Sequence, residues 1–367
     1  MAKIPFLLGL TLLSRIVAVE IDDVFTVHPG PRDGGCDEQL GTLDQWLSEA
    51  IESVDTALLA IDDYNQDIRV RRSMSIFFGI ANSGRLGSTG ARVNAVAGVR
   101  ANIEYIQSFF NHRINEETGV AHYNRDDYWL FCHSEFLSLQ EPSWPALDYL
   151  AQEIRDQDDN QVPIMNIPDY AARLGEDPNN RPWWSGELTT LNGYYFSDTG
   201  ASYCYDTELG LTAAIQPLRR GVDGQAENAN PIASIILCPY SFDGSPRADS
   251  YRDANNLIHA GTNLADAVPK SATLLHEGFH AIFGAGDEGF LEDTEELYDI
   301  AACINVVSSD VTRARRNPEN YIFFIAHMFH MRGEEEGEEP WSIHTQWDFQ
   351  LQGLGQNRVM GAFHPPQ

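Results

Sequence analysis

The sequence predicts an α+β fold in which helices come first, strands follow and helices return at the end. Apolar residues recur at three- and four-residue steps from Thr42 to about Gln66 and again from Ala91 to Phe110, which indicates two amphipathic helices that face a core. The segment Ile232–Tyr240 is apolar and β-branched and is the best strand of the chain. Residues 200–214 are expected to pair with this strand.

The last third of the chain is predicted to be helical. Ser271–Phe283 reads as a helix that Gly284 and Gly286 end. Glu292–Val307 has an acidic first turn, which suits the positive end of a helix dipole. A third helix over residues 318–331 begins at Pro318, since proline favours the first helical position.

These elements divide the chain into four regions. Residues 1–20 form a signal peptide, and residues 21–200 form a helical N-terminal region, either an upper lobe or part of a prodomain. Residues 201–331 form the core of the protein. Residues 332–367 form an acidic tail, which opens with the run EEEGEE after Gly333 and is expected to be solvated. Residues 140–200 are rich in Pro, Asn, Asp and Gly and read as loops.

The net charge excludes two classes of partner, and the N-terminal residues indicate a secreted protein. The formal net charge is -30, which repels phosphate backbones and anionic lipids, so neither nucleic acid nor a membrane is expected as a partner. Lys3 precedes an apolar run that is too short to span a bilayer, and small residues follow it, as in a secretory signal peptide. The alternative is a buried N-terminal helix. We expect a monomer released outside the cell.

Five cysteines fit the same compartment. They are Cys36, Cys132, Cys204, Cys238 and Cys303. An oxidising environment favours two disulfides and one remaining thiol. Cys204 and Cys238 are the first candidates for a pair because each lies beside a predicted strand.

The chemistry of the chain is concentrated in the motif HEGFH at residues 276–280. His276 and His280 are four residues apart on a predicted helix, so their imidazoles point the same way and can bind one Zn²⁺. Glu277 in this motif abuts the water that the metal activates and can accept its proton as general base. The alternative is an exposed helix face with two histidines.

A zinc site of this kind needs a third protein ligand. The acidic segment after the motif offers seven candidates: Asp287, Glu288, Glu292, Asp293, Glu295, Glu296 and Asp299. Glu295 is favoured because it shares a helix face with Asp299, which would orient one of the histidines. Asp287 is the main rival. His327 and His330 have no adjacent carboxylate and are interpreted as structural.

The segments LLHEGFH, EELYDIAAC and NPENYIFF together resemble the fungal deuterolysin-like and lysine-specific metallo-endopeptidases, the aspzincins. That family combines HExxH with a GTxDxxYG element, whose Asp binds zinc, and a downstream Asn-Ala-Asp-Asn-Tyr-like stretch. The resemblance covers about residues 270–330. It implies a zincin fold with the HExxH helix beneath a small sheet, and it implies Zn²⁺ as the cofactor.

The middle element departs from the family pattern, and two alignments are open. With Tyr298 as the motif tyrosine, the metal-binding position falls on Glu295, and Asp299 takes the place of the final glycine. The other alignment puts Asp287 on the Asp position but loses the tyrosine. The first is preferred, and it implies that Tyr298 donates a hydrogen bond to the developing oxyanion. The alternative for Tyr298 is a core tyrosine.

Two functions follow from this reading. The favoured one is a secreted zinc endopeptidase that acts on protein or peptide substrates with Glu277 as general base. The alternative is a secreted zinc-binding protein without turnover, such as a surface antigen or a zinc scavenger. The presence of Glu277 favours catalysis, since binding alone needs no general base.

Overall fold

The computed structural model describes residues 19–82, 90–111, 123–176, 178–196, 204–205, 207–222, 224–229, 232–284, 295–332 and 346–364. Its helices are α1 (Ile21–Val24), α2 (Leu40–Asp62), α3 (Ile68–Phe78), α4 (Ala91–Phe110), α5 (Pro168–Glu176), α6 (Tyr251–Leu257), α7 (Ala272–Phe283), α8 (Ile300–Ser309), α9 (Val311–Arg316) and α10 (Pro318–Arg332). Its strands are β1 (Thr26–Val27), β2 (Tyr128–Phe131), β3 (Ser138–Leu139), β4 (Pro182–Trp184), β5 (Tyr194–Phe196), β6 (Gly210–Ile215), β7 (Leu218–Arg220), β8 (Ala226–Asn228), β9 (Ile232–Leu237), β10 (Asp348–Gln352) and β11 (Val359–Phe363).

The α+β prediction is confirmed, and most of the predicted helices are present. α4 has the predicted bounds, while α2 and α7 each differ from the prediction by only a few residues at their ends. The helix predicted for residues 292–307 begins later, at Ile300, because the Asp299 side chain accepts a hydrogen bond from the Ala302 N–H and caps it there. α3 was not predicted.

The main sheet has four strands in the order β1-β2-β9-β6. β1, β2 and β9 are parallel, and β6 runs antiparallel to β9 at the edge, so the predicted pairing of residues 200–214 with the Ile232 strand is confirmed for β6. Ile235 and Leu237 of β9 face the helices, whereas Ile236 packs on the opposite face of the sheet. Burial on both faces explains why this strand is an unbroken apolar run.

One core joins the two ends of the chain. It contains Ile21 and Phe25 near the N-terminus, residues of α2, α4, α7 and α10, and Met360 of the C-terminal hairpin. Residues before and after position 200 therefore contribute to the same core. α7 lies against β6 and β9 on one side, and α2, α4 and α10 surround it on the other.

The C-terminal region differs from the predicted solvated tail. β10 and β11 form an antiparallel hairpin against α10, and the side chains of Trp347, Phe349 and Met360 are buried. The acidic run after Gly333 lies outside the described residues, as does the predicted signal peptide up to residue 18. Residues 138–196 carry the sheet β3-β4-β5 and most of a small separate core, in which Trp184 is buried, while Trp183 is only partly buried.

Two disulfides tie loops to the main sheet, as the cysteine count predicted. Cys36 pairs with Cys132 at the end of β2, and Cys204 pairs with Cys238 at the end of β9. Cys303 is buried as a free thiol. Two such bridges are typical of proteins from an oxidising compartment. Within the described residues, no helix is both long and apolar enough to cross a bilayer.

A buried glutamate links α2 to the start of α7 and should make stability depend on pH. The Glu49 carboxylate accepts hydrogen bonds from the Tyr251 N–H at 2.8 Å and from the Ser271 hydroxyl. Burial raises its pKa from 4.5 to about 7. The native state therefore binds a proton more tightly than the unfolded state, and stability falls as pH rises through this window.

We predict that Glu49→Gln removes this dependence, because glutamine keeps the hydrogen bonds without a charge. Between about pH 4.5 and pH 7, the wild type should lose about 3 kcal/mol of unfolding free energy that the variant retains. Urea unfolding of both proteins across this range measures the difference. Parallel curves for the two proteins would contradict the prediction.

Candidate metal centre

The two motif histidines lie on one face of α7 and are buried, as is Glu277 between them. Their ring centroids are 5.2 Å apart. Gly278 allows α7 to lie this deep, since a Cβ at this position would come within 2.6 Å of the Phe110 ring on α4. The helix is therefore packed tightly enough to hold both imidazoles in place.

The third member of the group is Glu296, whose carboxylate lies between the two imidazoles. Its Oε1 is 3.3 Å from His276 Nε2, and its Oε2 is 3.1 Å from His280 Nε2. One ligand atom from each of the three residues lies within 4.8 Å of the others. Two ligands of a tetrahedral site with metal–ligand distances of about 2.0–2.1 Å are about 3.3 Å apart. The spacing thus fits a metal ion, and the three residues can hold one.

The charges of the group also favour a cation. Burial would raise the pKa of Glu296, but the imidazoles of His276 and His280 outweigh burial and hold it well below its usual value. Burial would lower the pKa of His276, but the nearby carboxylates, Glu296 foremost, raise it well above its usual value. Among the described residues, Glu296 Oε1 is buried and lies 3.3 Å from His276 Nε2, without the geometry of a hydrogen bond. A divalent ion can replace the imidazolium proton as the positive partner of this carboxylate.

Glu319 contacts His276 on the side of the ring opposite Glu296. Its Oε2 lies 3.0 Å from His276 Nδ1, and the side chain is buried at the start of α10. A carboxylate that accepts the Nδ1–H of a histidine leaves the Nε2 lone pair free to bind a metal. Sequence reasoning did not assign this role to Glu319, although the residue lies within the NPENY segment that carries the family resemblance.

Glu277 faces the edge strand of the main sheet. The Thr212 hydroxyl on β6 lies 3.0 Å from Glu277 Oε2 and 3.0 Å from the Glu277 carbonyl oxygen. A Cβ at Gly210 would come within 3.2 Å of the Glu277 side chain, so a glycine here lets the strand approach the carboxylate closely. The candidate general base is therefore held between α7 and β6.

Tyr298 lies beside His276 of the group. Its ring stacks on that of His276 with centroids 5.8 Å apart, and 52% of the residue is exposed. The alternative of a core tyrosine is therefore wrong. The role of Tyr298 as an oxyanion donor stays a prediction.

Glu295, the predicted third ligand, lies outside the group. Its side chain is exposed, and its backbone carbonyl accepts a hydrogen bond from Arg313. The prediction assumed a helix through residues 292–307, whereas residues 296–298 are non-helical, so adjacent side chains point in different directions. Glu296 takes the position expected of Glu295, and Asp299 caps α8 instead of orienting a histidine. Asp287, the rival ligand, lies outside the described residues.

His327 and His330 lie away from this group and have structural contacts. His327 Nδ1 is 3.1 Å from the Ser73 hydroxyl, and its Nε2 accepts a hydrogen bond from the Phe349 N–H. His330 Nε2 is 3.0 Å from the Ala267 carbonyl oxygen, and burial lowers the pKa of His330 to about 4. These contacts join α10 to α3, to the C-terminal hairpin and to the segment before α7.

Comparison of the chain with protein-family models, curated proteins and solved structures returns no match. The assignment of this site therefore depends on its own geometry. The buried His276, His280 and Glu296 are a candidate metal centre by distance, charge and donor type.

We predict that Glu296→Gln lowers the affinity for Zn²⁺ by about 100-fold, because an amide oxygen is a much weaker ligand than a carboxylate. The matched control is Glu295→Gln, one residue earlier and exposed, which should bind zinc as the wild type does. Competition with a chromogenic chelator measures both affinities. Equal affinities for the two variants would remove Glu296 from the site.

Proposed function

We propose that this protein is a secreted zinc-dependent endopeptidase. The observation that carries the proposal is the buried group His276, His280 and Glu296 with Glu277 on the same helix, directly beneath an edge strand. Two imidazoles and one carboxylate are a ligand set of catalytic zinc sites, which leave a position open for water or substrate. We propose the zincin fold on the same ground, and a relationship to the deuterolysin-like peptidases on the resemblance over about residues 270–330.

Zinc, when bound, supplies Lewis-acid polarisation of a scissile carbonyl and lowers the pKa of water that attacks it. In our proposal Glu277 accepts the proton of the attacking water and delivers it to the leaving amine. Tyr298 donates a hydrogen bond to the oxygen that becomes negative. Glu319 keeps His276 in one orientation and one tautomer through this cycle.

A peptide is the substrate class that the surroundings favour. Within the described residues, no strand pairs with the outer edge of β6 from Gly210 to Ala214. An extended peptide can add to such an edge through main-chain hydrogen bonds. Because Thr212 of β6 contacts Glu277, a peptide bound there would pass close to the candidate general base.

We predict that Glu277→Gln retains stoichiometric zinc and lowers kcat/KM by about 10²- to 10⁴-fold, because the amide cannot take a proton from water. The measurement is a cleavage profile of denatured protein mixtures, with metal content determined on the same samples. Glu295→Gln should cleave as the wild type does. Zinc bound by a wild type that cuts nothing would favour the non-catalytic zinc-binding protein.

We predict that Thr212→Val lowers kcat about tenfold, since the Glu277 carboxylate loses a hydrogen bond that holds it in position. Thr212→Ser retains the hydroxyl and should recover most of the activity. Steady-state kinetics on a peptide substrate measures both variants. A serine variant as slow as the valine variant would show that the methyl group, and not the hydroxyl, matters.

A further inference from the structure

We propose that the start of α10, from Asn317 to Glu319, is the positioning element of the metal centre. This inference rests on the proposed function, since it concerns the same zinc site. The three candidate ligands come from two separate parts of the chain: His276 and His280 from α7, and Glu296 from the segment that precedes α8. One turn of α10 contacts both parts and fixes them relative to each other.

Asn317 holds the segment that carries Glu296. Its Oδ1 accepts a hydrogen bond from the Leu297 N–H at 2.8 Å, and its Nδ2 donates to the Leu297 carbonyl at 2.9 Å. These two bonds fix the peptide groups on both sides of Leu297, between Glu296 and Tyr298. Residues 296–298 form no helix or strand, so the asparagine supplies the hydrogen bonds that regular structure would supply.

Asn317 is itself anchored in the core. It is fully buried, and its Nδ2 also donates to Asn320 Oδ1 at 2.8 Å. Asn320 in turn donates to the carbonyl oxygens of Phe77 and Cys303 at 2.7 and 3.1 Å. The Glu296 segment is thus connected to α3 and α8 through a chain of buried amides. Such a connected network is rigid because every group in it has a partner.

Glu319 holds α7 in the same way that Asn317 holds the Glu296 segment, because its carboxylate accepts a hydrogen bond from His276 Nδ1–H. Its place in the first turn of α10 suits a carboxylate, since the helix dipole is positive there. Asn317 and Glu319 are two residues apart, so a displacement of this turn moves both ligand-bearing parts of the chain. Neither residue needs to contact the substrate, and both act through the ligands they hold.

The first test compares two buried glutamates that contact α7. Glu319→Gln should weaken zinc binding about tenfold, because the neutral amide polarises the imidazole less than the carboxylate does. Glu49, whose carboxylate contacts Ser271 at the start of α7, is the control, and Glu49→Gln should leave zinc affinity unchanged. Chelator competition measures both. Equal effects of the two substitutions would overturn the role of Glu319.

The second test compares two asparagines that support α10. Asn317→Ala should weaken zinc binding about tenfold and speed amide hydrogen exchange at Leu297. Asn102→Ala removes a hydrogen bond to Tyr321 without contacting Leu297, and should change neither quantity. Asn317→Asp is the milder variant if the alanine variant does not fold, since it keeps the acceptor for the Leu297 N–H. Unchanged exchange at Leu297 in a folded variant would overturn the role of Asn317.

Two readouts do not depend on zinc and separate this inference from the proposed function. The hydrogen-bonded Nδ1 proton of His276 gives a downfield NMR signal that Glu319→Gln should shift in chelator-treated protein. Exchange at Leu297 can be followed in chelator-treated Asn317→Ala protein. If both respond while the wild type binds no zinc, the positioning role stands and the zinc peptidase falls. If neither responds, the positioning role falls whatever the zinc content.

Discussion

The structure depends on one constraint: α7 is buried and yet carries two imidazoles and a carboxylate on its surface. A polar group removed from water must find a partner inside the protein, or the fold loses several kcal/mol. α7 therefore needs a specific polar neighbour on each side. Thr212 meets Glu277 from the sheet, Glu296 meets both histidines, and Glu319 meets His276 from the last helix.

This constraint explains why distant parts of the chain converge on α7. β6 brings the Thr212 hydroxyl to α7 from the sheet edge. α10 begins beside His276 and presents the Glu319 carboxylate to it. The apolar contacts of α2 and α4 fill the remaining surface of α7, with Gly278 allowing the closest approach. The same arrangement buries the Glu296 carboxylate between two imidazoles, and its Oε1 makes no hydrogen bond of good geometry among the described residues.

Periodicity in the sequence predicted the elements whose apolar side chains face one core. It did not predict features that depend on contacts between residues far apart in the sequence. α2 and α4 show clear helical spacing, α7 and α10 are predicted from the residues at their ends, and β9 is a clear apolar run. The identity of the third ligand depends on where α8 begins. The acidic run suggested a helix that starts at Glu292, but the Asp299 cap sets the start at Ile300. Glu319 is 43 residues from His276, so no local pattern could join them. The C-terminal hairpin was not predicted because an acidic run precedes it, although Trp347 and Phe349 indicate burial.

The sequence separation between α10 and its partners has a consequence for folding. Its partners in the core include α2 and α3 near the beginning, and it also supplies Glu319 and Asn317 to the metal centre. Contacts over such separations form slowly and only after the late segment has been synthesised. The centre therefore stays incomplete until α10 has docked against these partners. The geometry that could hold a metal ion is acquired late in folding, together with the contacts of α10 to α2 and α3.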